Sequence, residues 1–254
     1  MKFRTFVAIL ALAAVFAIVT PFANAATITE DCNSNTLTLP WVTDRAAPAS
    51  FGCSSQHIAL TLAADQSKPV GDFYATQGKK ILTGIEAVTA SVDMYIDPSF
   101  EGDGRIGGFW TSAADATNTI VSYQVAEFRG DTGFQFWDNN SASWIVAGTP
   151  SGFAYGQWYH LEMVLNTISD QVMYSVNGEL STIVGAAGGT HYLEAFLQGI
   201  NYDPGVDRTI LFDNVALSEV PVPPTLPLFV SGLVGLGFAG WGRRKGAKKA
   251  SVHA

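Results

Sequence analysis

Residues 156–178, GQWYHLEMVLNTISDQVMYSVNG, contain two strand patterns separated by a turn. In the first, Tyr159, Leu161, Met163 and Leu165 alternate with residues of the opposite face, which is the period of a β-strand. Residues 167–170 can reverse the chain, and residues 172–176 form a second short strand pattern. Asn177-Gly178 is typical of a type I′ turn. The stretch therefore predicts neighbouring antiparallel strands.

The same period of two continues on both sides of this stretch. Further strands are predicted at 57–62, 88–96, 106–110, 120–128, 133–137, 192–200 and 210–217, and no long stretch has a helical period. About ten strands without crossover helices predict an all-β fold, an antiparallel sandwich.

Two parts of this pattern also resemble a known family. Residues 156–161 and 174–178 resemble the paired-strand core of laminin-G and concanavalin-A-like jelly rolls, in which the last strand often carries a D-N-V step, here Asp213-Asn214-Val215. The resemblance implies a jelly-roll sandwich. It does not imply an activity, because lectins, binding modules and glycosidases share that scaffold.

The N-terminus is predicted to be a secretory signal peptide, residues 1–25. Lys2 and Arg4 precede an apolar run of 14 residues, and Ala23-Asn24-Ala25 is typical of a cleavage site for signal peptidase. The mature chain is expected to begin at Ala26, followed by one domain over residues 26–219.

The C-terminus, residues 220–254, resembles a PEP-CTERM sorting signal of the VPxP type. Its proline motif is Val220-Pro221-Val222-Pro223, and its apolar run of 16 residues would reach only about 24 Å as a helix, less than the roughly 30 Å of a bilayer core. A basic tail follows, with Arg243, Arg244 and Lys245. The resemblance implies an exosortase-like membrane protease as a partner and a surface protein that is at least transiently membrane-anchored. An ordinary membrane anchor is the alternative, and Val222 replaces the glutamate of the commonest motif.

The region between the two terminal segments is strongly acidic. All 22 carboxylates but only seven of the cations lie between Glu30 and Glu219, which gives this region a net charge of −15. Such a field repels phosphate backbones, so nucleic acid is not an expected partner. Cys32 and Cys53, in an exported chain, are predicted to form a disulfide.

Catalysis on this scaffold needs two carboxylates that flank the scissile bond. Glu101-Gly102-Asp103 resembles the start of the E-x-D-x-x-E signature of laminarinase-type enzymes, but Ile106 stands where the second glutamate is needed. A pair from distant strands, such as Glu127 and Glu162, remains open. A protein without catalysis is the preferred interpretation, and no catalytic residue is assigned.

A calcium site is an alternative interpretation of the same loop. Asp97, Ser99, Glu101 and Asp103 present oxygen atoms at alternate positions, as hard cations often require, and Asp213 near the end of the last strand is a second candidate. A solvated acidic loop and local backbone capping by Asp213 are the competing interpretations.

Carbohydrate binding is predicted around residues 133–144. If Phe134 and Phe136 face the core, Gln135 and Trp137 face the other way. The expected ligand-binding residues combine aromatic rings with hydrogen-bonding groups: Trp137, Trp144, Gln135, Asp138, Asn139, Tyr123 and Glu127. The alternative is that both tryptophans fill the second layer of a sandwich whose core demands large side chains. Trp110 and Trp158 are assigned to the core.

These patterns together favour an exported surface or matrix protein that binds extracellular polysaccharide without catalysis. A divergent polysaccharide hydrolase or lyase on the same fold is one alternative. A purely structural matrix component is the other.

Overall fold

The computed structural model describes residues 25–64, 75–201 and 206–219, which form fifteen β-strands. The strands are β1 Thr27–Glu30, β2 Val42–Arg45, β3 Ser50–Ser54, β4 His57–Leu62, β5 Gln77–Ala87, β6 Thr89–Ile96, β7 Arg105–Ala114, β8 Ile120–Arg129, β9 Gly133–Asp138, β10 Ser143–Gly148, β11 Gln157–Asn166, β12 Gln171–Val176, β13 Leu180–Gly185, β14 His191–Gly199 and β15 Arg208–Ser218. A 3₁₀ turn at Pro98–Phe100 precedes β7.

The strands make two antiparallel sheets. One has eight strands in the order β13-β12-β11-β6-β15-β4-β3, with β1 also paired to β15, and the other has seven in the order β10-β9-β8-β7-β14-β5-β2. The predicted antiparallel jelly-roll sandwich is confirmed. Strand β7 lies at the centre of the seven-stranded sheet.

The main core lies between the sheets and follows the alternation in the sequence. Tyr159, Leu161, Met163 and Leu165 of β11 point into it, and so do Phe134 and Phe136 of β9. Phe136 stacks on Tyr174 with ring centroids 4.8 Å apart. Each fully buried side chain of this size stabilises the fold by about 2–3 kcal/mol relative to exposure.

The hairpin predicted from residues 156–178 is present. Strands β11 and β12 pair from Leu161–Val176 to Asn166–Gln171, and the Asn166 side chain accepts hydrogen bonds from the backbone N–H groups of Ile168 and Ser169. Asn177 and Gly178 have φ angles of 51° and 70°, the left-handed pair that a type I′ turn requires. That turn connects β12 to β13.

The prediction of about ten strands was too low for the described residues. Strands β1, β2, β3, β5, β10 and β13 were not predicted. Strand β5 was missed because Lys79, Lys80 and Gly84 interrupt its apolar alternation, although it pairs with β14 over most of its length. Its pairing partners lie far away in sequence, where a local pattern carries no signal.

Cys32 and Cys53 form the predicted disulfide, with their Cα atoms 5.6 Å apart. The bond attaches the segment after β1 to β3, and Cys32 is buried in the main core. The described residues between Ala25 and Glu219 belong to one compact unit.

Residues 1–24 of the predicted signal peptide, and the sorting motif with its basic tail, lie outside the described residues. Within the ranges that the structure covers, no helix is long and apolar enough to cross a membrane.

Candidate functional site

A layer of aromatic side chains covers the outer face of the seven-stranded sheet. Trp110, Val125 and Phe196 are buried there, and Tyr123, Trp137 and Trp144 pack against them while remaining partly exposed. We call these six residues the aromatic face. It is separate from the main core. Trp110, which the sequence assigned to the core, is fully buried in this second cluster.

Trp137 and Trp144 form the partly exposed end of the aromatic face. They are register partners on β9 and β10, with ring centroids 5.3 Å apart in an edge-to-face arrangement. Gln135 and Trp137 point away from Phe134 and Phe136, as the alternation predicted. Both tryptophans lie outside the main core, on the outer face, where they pack partly buried against Trp110, Val125 and Phe196.

Glu127 is the hydrogen-bonding centre of this face. Its carboxylate is fully buried and accepts hydrogen bonds from Arg105 Nε at 2.5 Å and Nη2 at 2.7 Å. Trp110 Nε1 donates to it at 3.1 Å and Gln135 Nε2 at 3.2 Å. Four donors occupy the sites that a carboxylate offers, so Glu127 positions its neighbours and is not available to a ligand.

Two arginines lie over the aromatic rings. The guanidinium carbon of Arg45 is 4.8 Å from the centroid of Trp110, and that of Arg105 is 5.1 Å from Trp144. Both distances are in the range of cation–π attraction. Arg45 has a φ of 57°, a left-handed conformation that is uncommon for arginine.

Asp44, Lys80 and Glu194 form a polar cluster beside the rings, which we call the Lys80 cluster. Lys80 Nζ lies 2.8 Å from Glu194 Oε1 and 3.7 Å from Asp44 Oδ1. Ser112 donates a hydrogen bond to Glu194 at 3.1 Å, and Gln198 donates to Asp44 at 3.0 Å. The two carboxylate oxygens nearest Lys80 are therefore at most about 6.5 Å apart, the sum of the two contacts.

The cluster shifts the proton affinities of its neighbours. Burial by itself would lower the pKa of Lys80, but the hydrogen bond to Glu194 and the attraction of Glu194 and Asp44 raise it above its ordinary value. The pKa of Tyr123 is raised, first by burial and then by the charge of Glu194. Lys80 therefore remains a cation and Tyr123 a neutral phenol at physiological pH.

Asp138 and Asn139 shape the β9–β10 turn beside the aromatic face. Asn139 accepts a hydrogen bond from the backbone N–H of Tyr123 and donates one to its carbonyl, at 3.1 and 2.6 Å. Asp138 accepts hydrogen bonds from the Ser141 hydroxyl and the Asn140 N–H, which lower its pKa. The structure brings Tyr123, Glu127, Gln135, Trp137 and Trp144 together on one face and places Asp138 and Asn139 at its rim.

The carboxylates that were considered for catalysis do not form a pair. Glu127 and Glu162 lie on the outer faces of opposite sheets with the core between them, so this candidate was wrong. Glu101 and Asp103 lie in the turn before β7, and Asp103 is bound to Arg208. Glu127 and Glu194 face positions 108 and 112 of β7, roughly 13 Å apart along that strand, which exceeds the separation in glycosidases.

Three of the four carboxylates considered for calcium, Asp97, Asp103 and Asp213, have protein partners. Asp97 accepts a hydrogen bond from the Ser99 N–H, and Asp213 Oδ2 lies 3.0 Å from His57 Nδ1. In the part of the chain that the structure covers, no three histidine, cysteine or carboxylate side chains converge as metal ligands would. Calcium binding stays a prediction from the sequence.

Sequence reasoning missed the charged half of this site. Glu194, Phe196 and Gln198 alternate along β14 and carried a signal for one polar, outward face. Arg45 and Lys80 carried none, because they reach the face through the pairing of β2 with β5 and of β5 with β14.

Comparison with known proteins finds solved structures with a similar fold and finds no match at the level of sequence. No family model matches the chain, and no curated protein matches it in sequence. Among solved structures, a β-glucanase from Bacillus licheniformis matches at a TM-score of 0.53 and 12% identity, covering 76% of this chain and 98% of the other. The laminarinase catalytic domain from Thermotoga maritima matches at 0.57 and 10%, covering 77% and 98%.

A sialidase also matches, at a TM-score of 0.52 and 15% identity over 78% of this chain, which spans only 19% of that protein. At such identities the matches show a shared concanavalin-like jelly roll, and the activity must be argued from the site itself.

Proposed function

We propose that this protein binds an extracellular polysaccharide on the aromatic face of its seven-stranded sheet, without catalysis. The observation that carries the proposal is the pair Trp137 and Trp144, two partly exposed rings in contact on the outer face of a sheet. Sugar C–H surfaces pack on aromatic rings, and polar groups nearby align the hydroxyls. Tyr123, Arg105 and the Lys80 cluster supply such groups on the same face.

The charge of the face favours an uncharged glycan. Its three cations, Arg45, Lys80 and Arg105, are matched by Asp44, Glu127 and Glu194, to which they are bound. The face is thus neutral within a region of net charge −15. An anionic polysaccharide would find no uncompensated cation there and would be repelled by the rest of the domain.

Binding to an array of neutral and anionic glycans tests the proposal. We expect wild-type protein to bind a neutral glycan on the aromatic face and Trp137→Ala to lose the binding at that face, because the partly exposed ring is removed. Met173→Ala, at an exposed position of the other sheet, is the matched control and should bind like wild type. Wild-type protein that binds no glycan would refute the proposal and favour a structural matrix component.

Export and surface sorting belong to the same proposal. Its support is the sequence of the two termini, and its test is the intact mass of the protein from its native host. A C-terminus near residues 220–224 would support sorting. If Pro221→Ala combined with Pro223→Ala left mass and envelope fractionation unchanged, the sorting proposal would fail.

A polysaccharide hydrolase is the second candidate, and the Lys80 cluster is the observation in its favour. Asp44 and Glu194 are close enough to flank a glycosidic bond. Solved structures that share the fold include a laminarinase and a β-glucanase. Against it, the ammonium group of Lys80 lies between the two carboxylates, whereas one of them would have to carry a proton as the general acid.

Reducing-sugar release from soluble glucans and galactans separates the two candidates. Catalysis would require turnover by wild-type protein that Glu194→Gln abolishes while glycan binding persists. We expect no turnover by either protein.

A further inference from the structure

The outer face of the eight-stranded sheet carries a second group of polar and aromatic residues. His57, Asp213, Asp93 and His160 lie side by side on β4, β15, β6 and β11, which are consecutive strands of that sheet. We call these four residues the histidine row. His57 Nδ1 is 3.0 Å from Asp213 Oδ2, and His160 Nδ1 is 2.7 Å from Asp93 Oδ1.

Aromatic rings run beside this row. Trp158 lies 4.8 Å from the ring of His57 and 5.4 Å from that of Tyr95, measured between centroids. Trp158 was assigned to the core from the sequence, but it lies on the outer face and is partly exposed, because Tyr159 and Leu161 on either side of His160 point inward. A tryptophan in this position leaves apolar surface in contact with water.

The histidine row and the rings of Trp158 and Tyr95 beside it are together complementary to a sugar ring in shape and chemistry. Trp158 and Tyr95 lie two residues along their strands from His160 and Asp93, a spacing of roughly 7 Å. A pyranose ring on the indole would therefore have its edge over the histidine row. Each carboxylate oxygen there has a second lone pair for a hydroxyl, and 45% of the His160 side chain is exposed.

Asn214 connects the two carboxylates of the histidine row through hydrogen bonds that strand pairing alone would not provide. It lies in a bulge of β15 with a φ of 50°, donates its backbone N–H to Asp213 and its amide to Asp93 at 2.7 Å. The two carboxylates are thereby held side by side although their charges repel.

We infer that the histidine row, with Trp158 and Tyr95, is a second saccharide-binding surface that takes a neutral glycan. The inference rests on the proposed function and extends it: with sites on opposite outer faces of the sandwich, one domain holds two glycan chains together. Two adjacent carboxylates make the surface unsuitable for an anionic sugar.

Histidine signals in NMR spectra provide the direct test. The probes are linear hexasaccharides of glucose, xylose and galactose, added to the protein from which residues 1–25 have been removed. We expect the ring signals of His57 and His160 to shift with a hexasaccharide, while those of His191, which is 7% exposed on the other sheet, do not. These shifts should persist in Trp137→Ala, since that change is on the opposite face.

Variants on each face separate this inference from the proposed function. Trp158→Ala should remove the histidine shifts and lower the stoichiometry from two hexasaccharides per protein to one; His57→Ala, a gentler change, should weaken the same site at least tenfold. Beads are coated with the polysaccharide made of the same sugar as the hexasaccharide that binds. Wild-type protein should aggregate them, and neither Trp158→Ala nor Trp137→Ala should do so.

One hexasaccharide per protein, lost in Trp137→Ala and accompanied by unmoved His57 and His160 signals, would overturn the second surface and leave the proposed function standing. Binding that Trp158→Ala abolishes and Trp137→Ala does not would support the second surface and refute the first. No binding of any hexasaccharide would overturn both.

Discussion

Arg105 and Glu127 form a two-pronged ion pair in which the carboxylate is entirely withdrawn from solvent. The same carboxylate also holds the indole of Trp110 and the amide of Gln135. One buried charge thus sets the positions of Arg105, Trp110 and Gln135 on the same face as Trp137 and Trp144. The stability of the domain and the geometry of the aromatic face depend on the same residue.

Removing that carboxylate should be costly. We expect Glu127→Ala to lower the free energy of unfolding by about 3–5 kcal/mol, because it leaves Arg105 in a buried position without its main partner. The measurement is urea unfolding followed by tryptophan fluorescence.

The control for this change is the exposed pair of Arg129 and Asp131. It has similar two-pronged geometry, but its side chains are 31% and 38% exposed. Asp131→Ala should cost less than about 1 kcal/mol. Equal losses in the two variants would contradict the role given to Glu127.

Close packing between β7 and β8 should be equally intolerant of change. A Cβ atom at Gly108 would lie 2.1 Å from the carbonyl oxygen of Ala126, which is backbone and cannot move aside. We expect Gly108→Ala to destabilise the domain by about 3 kcal/mol or more, as overpacking in a well-packed site does. Thermal unfolding measures the effect.

Gly52 offers the matched comparison for this substitution. A Cβ atom there meets nothing within 4 Å, and its backbone is not in the left-handed region. Gly52→Ala should be neutral or stabilise by up to about 1 kcal/mol through the unfolded chain. A loss at Gly52 as large as that at Gly108 would argue against the contact with Ala126 as the cause.

The pair of His160 and Asp93 predicts a particular pH dependence. Their hydrogen bond raises the pKa of His160 and lowers that of Asp93. Burial by itself would shift each pKa in the opposite direction. The stability that protonated His160 contributes to the fold is complete below about pH 6.5, the ordinary pKa of histidine. It is lost as the pH rises through the raised pKa of His160. The contribution of Asp93 is complete above about 3.9 and is lost as the pH falls through its lowered pKa.

The pair should therefore stabilise most between about pH 4 and 6.5. Urea midpoints of wild type and His160→Gln should differ in that window and converge at higher pH. Because both side chains are partly exposed, the difference should shrink in high salt. A difference that is constant from pH 4 to 9 would show that the pair does not titrate as described.

The disulfide should contribute a stability that is independent of these charges. Cys32 and Cys53 are 21 positions apart, and closing a loop of that size is worth about 3 kcal/mol in the chain-entropy model. Replacing both with serine should lower the free energy of unfolding by about that amount at every pH. Unchanged stability in the double variant would contradict this.

The alternation of side chains along a single strand made part of the candidate site predictable from the sequence. Gln135 and Trp137 were placed on the side of their strand that faces away from the core because a period of two is visible within a few residues. The sheet order that sets β7 between β8 and β14 is not visible there, and neither is the left-handed φ of Arg45. The Lys80 cluster and the histidine row depend on such distant pairings, so the sequence alone could not reveal them.

The neutrality of the aromatic face has a consequence for crowding along a polymer. With three cations and three carboxylates cancelling there, the remaining four cations and nineteen carboxylates between Glu30 and Glu219 give the rest of the domain the whole charge of −15. Copies that bind next to one another on one glycan strand through the aromatic face would repel through the rest of the domain and not through that face. Charges are screened over about 8 Å at physiological salt. Ionic strength would then govern how many copies bind per length of glycan strand, while the affinity of each single copy for the glycan would stay nearly unchanged.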